Sequence, residues 1–200
     1  MTVVSSPPFD VSDDRVGRAA RVDVGAVYAR HATTVARWAR RLGGPAIDAD
    51  DVVQEVFLIA GRKLAGFDGA AKITTWLFRT TERVVLGARR KHRLRRLLAG
   101  RVRRAAEVDI VRPGHQPTPL EEVEQRQMTA AIYQLFDRLP ERHRQALILF
   151  EIEGLTTEEI AALTGVELTT VRVWLHRART RFAALYAAWE AKRAQPGGET

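Results

Sequence analysis

The sequence predicts an all-α protein of two small helical domains joined by a linker, the second containing a helix-turn-helix. Three observations predict it. Apolar residues recur at spacings of three and four, and no alternating stretch is long enough to demand a sheet. Ala, Leu, Arg and Glu are abundant, while Gly and Pro fall mainly at breaks between periodic segments. Near the carboxyl end, Gly165 separates a short apolar-faced segment from an arginine-bearing one, Val171 to Phe182.

Residues 1–22 are polar and weakly periodic, with Pro7-Pro8, and predict a flexible leader. A first domain is expected over residues 23–97. Its first helix starts at about Val24, turns Val27, Tyr28, His31, Val35, Trp38 and Leu42 to one face, and stops at Gly43-Gly44-Pro45. Asp48 caps the second helix, which runs through Val52, Val53, Val56, Phe57 and Ala60 to about Leu64, before the break Gly66-Phe67-Asp68-Gly69. A third helix begins near Thr74 or Thr75, carries Trp76, Leu77, Thr80, Val84 and Ala88, and becomes strongly basic from Arg89.

Pro113, Gly114 and Pro117 place a linker over residues 98–117, and a second domain is expected over residues 118–190. Thr118 with Pro119 and Glu121 is a strong helix start, and Leu120, Val123, Gln127, Ala131, Leu135 and Leu139 are expected on its buried side. Pro140 opens a helix holding Ala146, Leu147, Leu149 and Phe150 and ending at Gly154. Thr156 and Glu159 form a capping box for the next helix, Ile160 and Leu163 supply its apolar face, and Gly165 suits its left-handed end. In the last helix Val171, Leu175, Ala178 and Phe182 form the inward stripe, leaving Thr170, Arg172, Trp174, Arg177 and Arg181 for a groove. Residues 191–200 form a tail.

The formal charge of +8 over 200 residues points to a polyanionic partner, and duplex DNA is the leading one. No apolar run approaches membrane-spanning length and no signal core opens the chain, so a cytoplasmic location is expected. The chain has no cysteine, which excludes disulfides, thiolate zinc sites and thiol switches. The histidines are scattered, no acidic cluster has metal spacing and no Gly-rich phosphate loop is present; no catalysis, cofactor or metal is expected.

Asp50-Asp51-Val52-Val53-Gln54-Glu55-Val56-Phe57, then Phe67 to Leu77, then Leu139-Pro140-Glu141-Arg142 and the terminal helix-turn-helix resemble an extracytoplasmic-function (ECF) sigma factor of bacterial RNA polymerase. The likeness covers about Val24 to Tyr186, with four motifs in the family's order. It implies a first domain that binds core RNA polymerase and opens the downstream promoter element, and a second that reads the upstream element. It also implies an anti-sigma factor as the family's usual inhibitor.

Asp51, Gln54, Glu55 and Leu58 fall at helical spacings, giving an acidic strip opposite a core face of Val53, Phe57 and Ala60. On periodicity alone such a strip is a solvated face; the resemblance makes it the docking face for a coiled coil of the polymerase clamp. Trp76 and Phe78 with the following arginines invite stacking of unpaired bases, yet a helical Trp is more often core. Trp76 is therefore assigned mainly to packing, and downstream DNA contact to Lys72, Thr74, Arg79, Arg83, Arg89 and Arg90. Upstream, Thr169, Thr170, Arg172, Trp174, His176 and Arg177 match the family's groove-facing positions, with base or phosphate contact both open to Arg172 and Arg177.

Three positions depart from the family pattern: Arg83 stands where Asn is common, Gly87 where Asp is common, and Trp174 where a basic or small polar residue is usual. Arg83 offers only donors and Gly87 no side chain, so a different downstream preference is expected. Gly87 in mid-helix implies a close backbone approach or a flexible joint, unless the site is simply tolerant. The rival reading is a one-component helix-turn-helix regulator, which needs no polymerase-docking strip. A third, a nucleic-acid-processing enzyme, lacks an active site.

Overall fold

The computed structural model of the chain describes residues 23–64, 72–98 and 119–194, with side chains in the last segment described from Glu122 onward. The leader, the Gly66–Gly69 break, the linker beyond Leu98, the Thr118 cap and the end of the tail lie outside the described residues. Those described form seven helices and no strand: α1 Val24–Gly43, α2 Ala49–Lys63, α3 Ile73–Leu98, α4 Pro119–Phe136, α5 Glu141–Glu151, α6 Thr157–Thr164 and α7 Leu168–Ala194. They fall into two compact units, the first built on α1 to α3 and the second on α4, α5, α7 and the start of α6.

In the first unit each helix packs on the other two. Asp23 caps α1 by accepting from the Gly25 N–H at 2.9 Å, and Asp48 caps α2 by accepting from Asp50 and Asp51 N–H at 2.8 and 3.2 Å. Between them Gly44 takes φ 74°, a left-handed conformation that closes α1. The core is aliphatic with two large rings at its centre: Trp38 and Phe78 meet edge to face at 5.2 Å, and both are buried. Removing side chains of this size from water contributes about 1.5 to 3 kcal/mol each. Phe78 is thereby fixed as core and has no face for a base.

The buried face of α2 is Val52, Val56, Phe57 and Ala60, not the expected set with Val53. Two adjacent valines offer two faces about 100° apart. Val52, Val56 and Ala60 form an unbroken i, i+4, i+8 line, which leaves Val53 half-exposed. Tyr28, expected inside, is 51 % exposed and lies edge-on to Phe57 at 4.8 Å.

In the second unit α7 packs on α5 and α4. The middle of α5 is buried from Arg144 to Leu149. Arg144 is only 1 % exposed; its Nε lies 3.3 Å from Asp137 Oδ1 and its Nη1 3.8 Å from Glu141 Oε1, with the guanidinium over the Tyr133 ring. The helix ends at Glu151, earlier than expected, because the Glu153 and Leu155 N–H groups turn back to Ile148 and Leu149 carbonyls. The α4 face also differs from expectation: Thr129, Tyr133, Leu135, Phe136 and Leu139 are buried, while Val123 and Gln127 are exposed. The core takes Tyr133 and Phe136 at the carboxyl end of α4; of the expected line Leu135 and Leu139 are buried, while Val123 and Gln127 point outward.

The start of α6 matches expectation atom for atom. Thr156 N–H donates to Glu159 Oε2 at 2.8 Å and Glu159 N–H donates to Thr156 Oγ1 at 3.2 Å. Gly165, at φ 66°, ends α6. Val171, Leu175 and Ala178 of α7 are buried, and Phe182 stacks on Phe136 at 4.9 Å. Beyond them the helix continues unbroken, with Phe182, Tyr186 and Trp189 in successive ring contact and Arg193 over Trp189.

Candidate polymerase and nucleic-acid interfaces

Three helix faces collect the residues singled out from the sequence. On α2, Asp51, Gln54, Glu55 and Leu58 are all exposed, or nearly so, with Leu58 at 55 %. Beside them opens a shallow cleft of about 430 Å³ lined by Tyr28, Asp50, Val53, Gln54, Phe57 and Leu58. Asp50 is the carboxylate lining a mostly apolar cleft, and Asp51 and Glu55 lie on the same helix, the chemistry that receives a helix carrying basic and apolar side chains on one face. Tyr28 and Val53 were missed as surface residues, since their apolar character reads as core.

On α3 the basic candidates divide. Arg79, Arg83 and Arg90 are exposed and, spaced four and seven residues apart, lie along one line of the helix. Lys72 just precedes the helix and is half-exposed, as is Arg89, which lies off that line. Thr74 is a correction: its side chain is 4 % exposed and its hydroxyl is buried, so it is not available to DNA. The reason is its place in the first turn of α3, where Ile73, Thr74, Leu77 and Phe78 together enter the core. Trp76 is half-buried beside the arginine line. Gly87 is exposed, and a Cβ there would meet nothing within 4 Å, so no close approach to another described residue explains it.

On α7, Thr169, Arg172, His176 and Arg177 are exposed, while Thr170 and Trp174 are half-buried. Val173, 45 % exposed, joins the outward face. Arg172 Nη2 donates to Glu158 Oε1 at 3.3 Å. Glu158 also accepts from the Thr157 hydroxyl at 2.9 Å. Its carboxyl is held below its ordinary value by its own backbone N–H, then by Thr157, then by Arg172. His143 of α5 has its pKa lowered by partial burial, then by Arg177 and Arg181, which sets it beside the cationic side of α7. Neither Glu158 nor His143 was singled out from the sequence; their roles depend on which helix packs on which. Arg179 is structural, paired with Glu151 at 2.8 Å and lying over the Phe150 ring.

Comparison with known proteins fits this layout. Sigma-70 region 2 matches residues 27–95 and sigma-70 region 4 matches residues 129–182. The two units therefore define a sigma-70 class protein. The ECF RNA polymerase sigma factor SigE of Mycolicibacterium smegmatis is 33 % identical over 190 residues, covering 94 % of this chain and 69 % of that protein. The RNA polymerase sigma factor CnrH of Cupriavidus metallidurans is 30 % identical over 166 residues, covering 82 % and 86 %. The structure of CnrH in complex with the cytosolic domain of CnrY aligns with TM-score 0.56 at 27 % identity, covering 82 % of this chain and 88 % of that one. RpoE of Bartonella quintana, solved with the anti-sigma factor NepR, shares the fold with TM-score 0.54 at 22 % identity, covering 82 % and 96 %.

The chain belongs to the ECF sigma factors. It is an RNA polymerase sigma factor, which binds core RNA polymerase and promoter DNA and directs transcription initiation. The stand-alone regulator is not favoured, since such a protein has no use for region 2. No described helix is long and apolar enough to cross a membrane.

Proposed function

We propose that the α2 strip Asp51, Gln54, Glu55 and Leu58 docks this sigma factor on a basic helix of core polymerase. Lys72, Arg79, Arg83, Arg89 and Arg90 then hold the downstream element, and Thr169, Thr170, Arg172, Trp174, His176 and Arg177 face the upstream one. The first unit thus carries docking and downstream contact, and the second carries upstream contact. The factor acts by binding, without a catalytic step of its own, in the cytoplasm where core polymerase works. CnrH is solved with the cytosolic domain of CnrY and RpoE of Bartonella quintana with the anti-sigma factor NepR; an anti-sigma factor is proposed as a partner here too.

The observation that carries the docking assignment is an exposed leucine set among carboxylates beside an apolar cleft. A solvated acidic face needs no such leucine. Asp51→Arg with Glu55→Arg reverses the strip's charge at exposed sites, so it is expected to abolish co-elution with core polymerase while helicity by circular dichroism stays unchanged. Co-elution at wild-type levels would remove the assignment.

A further inference from the structure

We propose that Glu158 is a positioning residue for upstream-element readout: from the first turn of α6 it fixes the Arg172 guanidinium of α7 so that its remaining edge meets a base rather than a phosphate. The proposal rests on α7 being the helix that enters the groove.

Arg172 is the fifth residue of α7. Helix-turn-helix proteins present the N-terminal turns of the second helix to base edges, while the first helix crosses the phosphate backbone. A carboxylate at the start of that first helix repels the duplex unless a cation answers it. Here Arg172 answers it. Glu158 takes one hydrogen of Nη2, so the second Nη2 hydrogen still forms a two-donor edge with Nε or Nη1 for a bidentate contact. The pair stands in solvent, the side chains 60 % and 61 % exposed, and exposed pairs add little to stability, so folding does not account for it. Glu158 is itself held in place, since its other oxygen accepts from the Thr157 hydroxyl.

Two consequences follow from general physics. An arginine loses much rotamer freedom when it binds, and one already held in a single geometry loses less, which favours the sequence that fits that geometry. A guanidinium already neutralised displaces few counterions, so its contribution is directional rather than salt-driven. Glu158 therefore raises the ratio of specific to nonspecific binding while lowering nonspecific binding itself.

The test uses the full chain as polymerase holoenzyme and two duplexes: an upstream element enriched from a randomised library by the wild type, and a scrambled duplex of equal composition. Glu158→Ala is expected to lower the specific-to-scrambled ratio about 3- to 5-fold, the scale of an exposed pair, and to strengthen scrambled binding. Glu158→Gln keeps an oxygen acceptor at the same reach and is expected to hold the ratio within about 2-fold of wild type. In an Arg172→Ala background neither change should move the ratio. The proposal is overturned if Glu158→Ala strengthens both duplexes equally, if Glu158→Gln lowers the ratio as Glu158→Ala does, or if Glu158→Ala still shifts it without Arg172. Should Arg172→Ala and Arg177→Ala together leave both duplexes bound as by wild type, the groove-facing reading of α7 falls and the proposal falls with it.

Discussion

The arginines of α3 and those of α7 carry the same charge in different company. On α7, Arg172 is taken by Glu158, and Arg179 is taken by Glu151 and the Phe150 ring. On α3, Arg83 and Arg90 stand exposed on one line, and no carboxylate of the described residues pairs with either. Arg144 is the far extreme, buried between Asp137, Glu141 and Tyr133. A guanidinium on an unheld stem can follow a phosphate wherever the backbone runs, with affinity that falls steeply in salt. One held by a carboxylate arrives oriented, and one held and buried no longer meets a ligand at all. On the proposed assignment, surroundings rather than residue type divide structural arginines from those that would follow phosphates or read bases.

The largest expected effect tests the buried extreme. Arg144→Ala should cost about 2 to 4 kcal/mol of stability in denaturant melts, because the long buried stem no longer packs. Arg83→Ala, at an exposed site, should change stability by less than about 0.5 kcal/mol. Equal costs would erase the distinction. Next comes DNA. Arg83→Ala with Arg90→Ala should weaken binding to all sequences alike and reduce the slope of log affinity against log salt by about 0.9 for each phosphate no longer neutralised. A loss confined to one downstream base would instead make Arg83 a reader. Transcription from a randomised downstream library by Arg83→Asn, alone and with Gly87→Asp, would then show which base it selects.

Smaller effects sharpen the picture. Gly87→Ala has open space for its methyl group and is expected to stabilise α3 by about 1 kcal/mol with no change in promoter binding. Weaker binding with unchanged stability would indicate that the helix has to bend there. His143 gives a pH signature. Its folded-state pKa lies below the ordinary 6.5 because of burial, Arg177 and Arg181, so the unfolded chain takes up the proton first as pH falls. The contribution of His143 to stability is therefore level above pH 6.5 and declines below it, down to the depressed folded value. His143→Gln should flatten that decline in melts recorded across this range.

Local chemistry was the legible part of this molecule. The Thr156–Glu159 box, the Asp48 cap and the Val171, Leu175 and Ala178 stripe depend on residues within a turn or two, and each formed as the sequence implied. Choices between adjacent faces were less legible. Val52 and Val53 are interchangeable in periodicity, and only the neighbouring helices decide which one is buried. Thr74 failed for the same reason: a polar residue beside a basic tract looks like a surface contact until the first turn of α3 is seen to enter the core. On α4, Tyr133 and Phe136 join the expected Leu135 in the core while Val123 and Gln127 stay outside, and Phe136 finds a ring partner, Phe182, on a helix more than forty residues away. Pairings such as Glu158 with Arg172 have no periodic signature and emerge only from the fold.

The length of α7 has a mechanical meaning. Sigma-70 region 4 matches the chain only to residue 182, yet the helix runs without interruption from Leu168 to Ala194. It is one rod of about 40 Å at 1.5 Å per residue. The proposed groove-facing residues occupy one end, and Tyr186, Trp189 and Arg193 stack along the other. A lever of this kind has no hinge along its length, so a twist applied at Trp189 arrives at Arg172 nearly undiminished. The carboxyl-terminal turn of α7 is a handle on the proposed reading end, and a fluorophore or spin label fixed there would report the angle at which that end meets a duplex.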